Sequence, residues 1–219
     1  MSSLLFCLWI LVAFFALYRL VTFLLKKPTG IGEWSPDQAL LSWVDVSEKS
    51  ITIHNIRNCV YRTEKDYDVH YYDKTFSLED IRGVDFIVEP FMKLKGVAHT
   101  FVSFSFSDGS YVAVSVEIRK RKGEHFSATK GFFKHFELMY VFADERDIIA
   151  MRACYRRDQV YLYHINTTQE KAQKMFLSMA ARANKLKEKP EFYDTISNTC
   201  TTNIADHANS VTPNRVPIN

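Results

Sequence analysis

The sequence predicts an α+β domain in which an antiparallel sheet packs against helices, preceded by one N-terminal transmembrane helix. Three observations predict it. Leu4 to Leu25 is an almost unbroken apolar run with one charge, Arg19, and it is followed by Lys26 and Lys27. Short runs of alternating polarity then recur through the middle of the chain, as half-buried strands require. Near the C-terminus apolar residues return at helical spacing behind N-cap signals. A chain of 219 residues, 47% hydrophobic and 24% charged, holds one membrane segment plus one domain with a real core.

The first segment spans roughly 33 Å at about 1.5 Å per residue, enough for a bilayer core. A cleaved signal peptide is the rival, but the run is long, lacks a basic n-region and has no small-x-small site before the lysines. The expected boundaries are a transmembrane anchor over 1–27, a Pro- and Gly-containing linker over 28–38, one globular domain over 39–211 and a tail over 212–219. Lys26 and Lys27 place the domain in the cytoplasm by the positive-inside tendency, though two lysines are a small bias.

Within the domain, strands are expected at Leu40 to Val46, Ile51 to Ile56, Val69 to Tyr72, Val84 to Val88, His99 to Phe106 and Tyr111 to Ile118. Three more follow at Glu137 to Phe142, Ile148 to Arg152 and Val160 to Ile165. Thr167 with Glu170 has capping-box spacing. Ala172, Met175, Phe176, Met179, Ala183 and Leu186 then repeat helically until Lys189-Pro190, which predicts a core-facing helix. A last helix is expected to start near Ser197-Asn198-Thr199 and run through Cys200, Ile204 and His207.

The net charge of +3 gives no general pull toward nucleic acid. Arg119-Lys120-Arg121-Lys122 is the basic cluster of note. It reads as a solvated strand end or, beside an anchor, as a contact for lipid phosphates, and no aromatic-interleaved stripe accompanies it to suggest nucleic acid. Four cysteines are too few and scattered for a disulfide framework, and no spacing suggests a metal or other cofactor.

The chemistry centres on Cys200. A cysteine in a helix's first turn faces unpaired N–H groups and the positive dipole end, a setting that favours thiolate. The plain alternative is a buried structural cysteine. His207, seven residues on, shares its face but lies about 10 Å away along the axis, so a base must come from elsewhere. The hairpin around Ser107-Asp108-Gly109-Ser110 supplies a candidate. Its apolar residues coincide on one face only if residues of equal parity pair, which sets Phe104 opposite Val114. The other face then carries His99, Phe101, Ser103, Ser115, Glu117 and Arg119. There Glu117 lies within reach to hold one ring nitrogen of His99 while the other faces a thiol. The bland reading is a strand-end histidine beside a surface Glu117–Arg119 pair.

Several stretches together resemble a known bacterial family. They are Ile53-His54-Asn55-Ile56-Arg57-Asn58, Tyr61-Arg62-Thr63-Glu64, Ala98-His99-Thr100-Phe101-Val102-Ser103-Phe104, Ser115-Val116-Glu117-Ile118-Arg119, Asp144-Glu145-Arg146-Asp147, and Phe192-Tyr193-Asp194-Thr195 through Asn198-Thr199-Cys200-Thr201-Thr202-Asn203. The resemblance is to the domain family named for Lnb, a lipoprotein N-acyltransferase, and covers most of Trp34 to Asn209. It implies a circularly permuted papain-like fold, a catalytic cysteine and histidine at Cys200 and His99, and a periplasmic domain, which the apolar run would tie to the inner membrane by a single anchor. Relatives tend to carry Asn where this chain has Asp194 and Thr199, and many continue past its last residue.

The expected activity is acyl transfer from a phospholipid to an amine, such as a lipoprotein N-terminus, through a thioester on Cys200. Arg119, Tyr193, Ser103 and Ser115 are the expected substrate contacts, and the membrane itself is a partner. The alternatives are a Cys-His amidase or peptidase acting on the cell envelope, and a catalytically idle module that binds lipid or protein.

Overall fold

A computed structural model describes residues 3–91, 97–213 and 215–216, without the side chains of residues 3–6, 8 and 22. It opens with helix α1 (Ser3–Leu25), whose large apolar side chains from Trp9 to Leu25 are mostly exposed. A helix apolar all round and packed against little is one that water does not stabilise. Among the described residues no helix is long and apolar enough to cross a membrane. The anchor expected over 1–27 includes positions outside the described residues, as does the expected tail over 212–219.

The domain contains β1 (Trp43–Val46), β2 (Ser50–Arg57), the short pair β3 (Val60–Tyr61) and β4 (Tyr67–Asp68), β5 (Tyr71–Ser77), β6 (Ile81–Pro90), β7 (Ala98–Phe106) and β8 (Tyr111–Arg119). Helix α2 (Ala128–Phe132), strand β9 (Glu137–Ala143), helix α3 (Glu145–Ala150), strand β10 (Tyr161–His164) and helices α4 (Gln169–Glu188) and α5 (Cys200–Asn209) follow. The main sheet has eight strands in the order β1-β2-β9-β8-β7-β6-β10, with β5 also paired to β2. All pairings are antiparallel except β2 with β9. The observed class is thus α+β with a mostly antiparallel sheet.

Strand alternation gives the sheet two buried faces. On one, Val102, Phe104, Val112, Val114, Val116, Tyr140 and Phe142 pack under α4 and α5. Phe176 of α4 anchors this side, meeting the rings of Phe104, Phe106 and Phe142 edge-on. Removing such a core aromatic costs about 3–5 kcal/mol. On the other face Ile87, Phe101, Ala113, Met139, Val141 and Ala143 pack with Ile148 of α3. β9, buried at every position, is a central strand covered on both sides.

Four local expectations need correction. Ile148 to Arg152 is not a strand: α3 covers Glu145–Ala150 and a π-helical turn covers Met151–Arg156, ending at Arg157 with φ +59°. Acidic residues behind Asp144 start the helix, and Ile148 packs into the second core. The second correction is the hairpin register. Phe104 pairs with Val112, not Val114, because Gly109 at φ +79° closes a loop over Ser107 to Gly109. The expected parity is retained, so the same residues share each face, but pairing shifts by two. The third is the start of α4, where Thr168 rather than Thr167 is the N-cap and accepts from the Lys171 N–H. The fourth is α2, a short helix capped by Ser127, which the sequence reading did not anticipate.

Candidate functional site

Cys200 occupies the first position of α5. Thr199 is the N-cap: its hydroxyl accepts from the Thr202 N–H at 3.2 Å, and the Thr202 hydroxyl accepts from the Thr199 N–H at 2.8 Å. That capping box fixes the first turn and the thiol on it. The turn before it is held by Asp194, whose carboxylate accepts from Ile196 N, Ser197 N and the Ser197 hydroxyl. Burial favours its neutral form, but the bonds from Ser197 and Ile196 outweigh that and lower its pKa. Cys200 is 8% exposed and sits at the rim of the larger core. Its sulfur lies 3.8 Å from the Thr201 hydroxyl, which in turn meets Thr100 of β7 at 3.2 Å. Tyr193 is a neighbour, and burial, then the Cys200 and Asp194 charges, push its phenol up to about 12.

Beside this start of α5 lies an apolar cavity of about 420 Å³ between the sheet and the two C-terminal helices. Phe86, Val102, Met175 and Ile204 contribute to its wall, Lys171 reaches it, and Thr201 places it next to the thiol.

His99 stands elsewhere. Thr100, Val102 and Phe104 face α5, so alternation turns His99, Phe101 and Ser103 to the opposite face, under α3. Among the described residues no hydrogen bond joins His99 to Cys200. The imidazole Nε2 meets the Ser115 hydroxyl at 2.9 Å, and that hydroxyl donates to Glu117 Oε1 at 3.0 Å. Glu117 therefore acts on the ring through Ser115, not by the direct bond the register had suggested. Arg152 completes the group: its Nε donates to Glu89 at 2.7 Å, its Nη2 to Glu117 at 3.2 Å, and its guanidinium covers the Phe101 ring. Burial, then Arg152, lower the His99 pKa to about 3 against the opposing pull of Glu117. For Glu117 burial pushes the other way, but Arg57, Arg152 and His99 outweigh it and keep the carboxylate ionised.

The expected substrate contacts divide. Tyr193 lies beside Cys200, as described. Ser103 and Ser115 are fully buried, and Ser103 donates to Glu145 at 2.6 Å. Arg119 clamps the linker, donating to the carbonyls of Gln38 and Ala39 at 3.1 and 2.7 Å with Trp34 stacked on its guanidinium. In this arrangement the polar groups of those three are taken up within the fold: Ser103 by Glu145 of α3, Ser115 by His99 of β7 and Glu117 of β8, and Arg119 by the linker.

Other buried polar groups escaped the sequence reading. Asp147 accepts from Arg57 Nε at 3.0 Å, Arg57 Nη2 at 2.9 Å and Cys59 N at 2.7 Å. On the α5 side Tyr140 donates to Asn203 and shares a bond with His207, which also bonds Ser178. Asp144-Glu145-Arg146-Asp147 was the available signal for the first set, since a helix start there turns Asp147 and Arg152 inward.

A thiol at a capped helix start beside an apolar cavity, on a mostly antiparallel sheet whose other face carries buried ion pairs, defines an α+β domain with a buried cysteine at the start of its last helix. The family described as Lnb N-terminal periplasmic domain matches residues 67–219, and the chain belongs to that family. No curated protein and no solved structure matches the chain. The family's periplasmic placement puts the domain outside the cytoplasm, which corrects the orientation suggested by Lys26 and Lys27.

Proposed function

We propose that the chain is a membrane-anchored thiol acyltransferase of permuted papain-like type, carrying an acyl chain from a phospholipid to an amine acceptor such as a lipoprotein N-terminus. Its anchor is α1, inserted once in the inner membrane. The observation that carries this reading is the placement of Cys200 in the first turn of α5, with its neighbour Thr201 on the wall of the apolar cavity. The sulfur attacks the ester carbonyl, the ester C–O bond breaks, and the departing alcohol takes the thiol proton. The amine then displaces sulfur, forming an amide and returning a proton to it.

His99 enters the proposal as the general base; its ring is neutral, but burial and Arg152 lower its pKa to about 3, well below the near-neutral value that suits a base. Its position on the face away from Cys200 favours a second part, in which it ties β7 to β8 through Ser115. The same separation favours a rival reading, a catalytically idle lipid- or protein-binding module.

Purified protein incubated with acyl-labelled phospholipid tests these together. Acyl transfer predicts hydroxylamine-labile label on the wild type and none on Cys200→Ala. Label that persists on Cys200→Ala ends the assignment, and no label on a folded wild type favours the idle module. His99→Gln keeps a hydrogen bond to Ser115, so retained labelling marks a positioning residue, whereas a loss of about 100- to 10,000-fold marks the base.

A further inference from the structure

A second feature lies at the end of α1. Phe126, Phe132 and Phe133 are 45%, 46% and 56% exposed, and Ile196 is 70% exposed. They belong to one surface, because the Thr195 hydroxyl donates to the Ala128 carbonyl at 2.7 Å and Gly131 sits so close that a Cβ would lie 2.5 Å from Thr195. Around them stand Lys26, Lys27, Arg121, Lys130 and Lys134, with Glu124 among them bonded to His135, and none of the five cations forms an ion pair within 4.0 Å among the described residues. The surface is continuous with α1. Phe133 meets Phe23 edge-on at 6.3 Å, the Lys134 ammonium lies 4.7 Å from the Phe23 ring centre, and the Lys26 ammonium donates to the Lys134 carbonyl at 2.5 Å.

We propose that this surface is a membrane-docking face, which rests on anionic lipid with its aromatic side chains in the boundary between headgroups and acyl chains. The inference builds on the reading of α1 as an anchor. Exposed aromatics ringed by unpaired cations are the composition of an interfacial contact. The apolar helix running straight into the patch makes lipid its neighbour rather than an acidic protein. The turn at 194–197 is part of the face and leads directly into Cys200, so docking holds the thiol beside the lipid surface.

The test uses the full chain reconstituted in vesicles whose lipids carry bromine at chosen acyl depths, since bromine quenches indole on contact. Phe132→Trp adds an indole on the face, and Tyr111→Trp adds one at the far end of β8. The expected result, after subtraction of the parent emission, is that shallow bromines in phosphatidylglycerol-containing vesicles quench the Phe132→Trp indole and leave the Tyr111→Trp indole bright. Lys27→Glu with Lys130→Glu is expected to abolish that quenching. An unquenched Phe132→Trp indole, or equal quenching in purely zwitterionic vesicles, overturns the proposal. Native Trp9, read as the difference in emission between the parent and Trp9→Phe, reports the anchor separately. If deep bromines leave Trp9 bright, the anchor reading fails; if they quench Trp9 but not the Phe132→Trp indole, the docking face alone fails.

Discussion

At the scale of single residues, the half-buried His99 and the buried His207 set how the fold answers to acid. Burial, then Arg152, hold His99 neutral down to about 3, and burial, then Arg182, hold His207 neutral down to about 4. In the unfolded chain both rings titrate near the usual 6.5. Between that value and the folded ones the unfolded state binds more protons, so stability rises with pH. Their contribution is complete above pH 6.5 and is lost as the pH falls toward 3 to 4. Glu117, with its lowered pKa, adds a loss below the ordinary carboxylate range. The urea midpoint is therefore expected to fall steadily from pH 7 to pH 4, and to fall less steeply in His207→Gln. A midpoint indifferent to pH over this range would show that the rings are not held neutral.

Among the elements, α5 depends most on a few atoms at its start. Thr199→Ala removes the hydroxyl that accepts from Thr202 N and is expected to cost about 1 kcal/mol in denaturant unfolding. Thr199→Ser is expected to recover most of that loss, and equal destabilisation by the two variants would mean the cap is not the cause. This start was legible in the sequence because Ser197-Asn198-Thr199 are N-cap types, and α4 was legible from its Met and Phe stripe. The face shared by His99, Ser115 and Glu117 was legible too, from parity alone. What parity did not disclose was which helix covers each face. That depends on α3, whose apolar residues were mistaken for a strand because Ile148, Ala150 and Arg152 alternate as readily as they spiral. In the structure α3 makes that far face a second buried layer, which sets His99 on the side of the sheet away from Cys200.

For the molecule as a whole, the sheet's edges at β1 and β10 differ. At β1 the Asn184 side chain accepts from Val44 N at 2.8 Å and donates to Val44 O at 2.7 Å, and Lys187 covers the Trp43 ring, so α4 closes that edge. At another edge β10 pairs, among the described residues, only with β6, and all four of its residues are exposed. Native-state hydrogen exchange is expected to find the amides of Tyr161 to His164 exchanging faster than those at the centre of β8; comparable protection would imply a partner on that edge. The charged layer beneath α3 bears on maturation as well. Glu89 and Glu117 are laid down in β6 and β8, and Arg152 follows before α4 or α5 exists in a chain emerging N-terminus first. The domain can thus neutralise its acidic side while its greasy side still awaits cover, and the cysteine-bearing helix arrives last, on a platform already set.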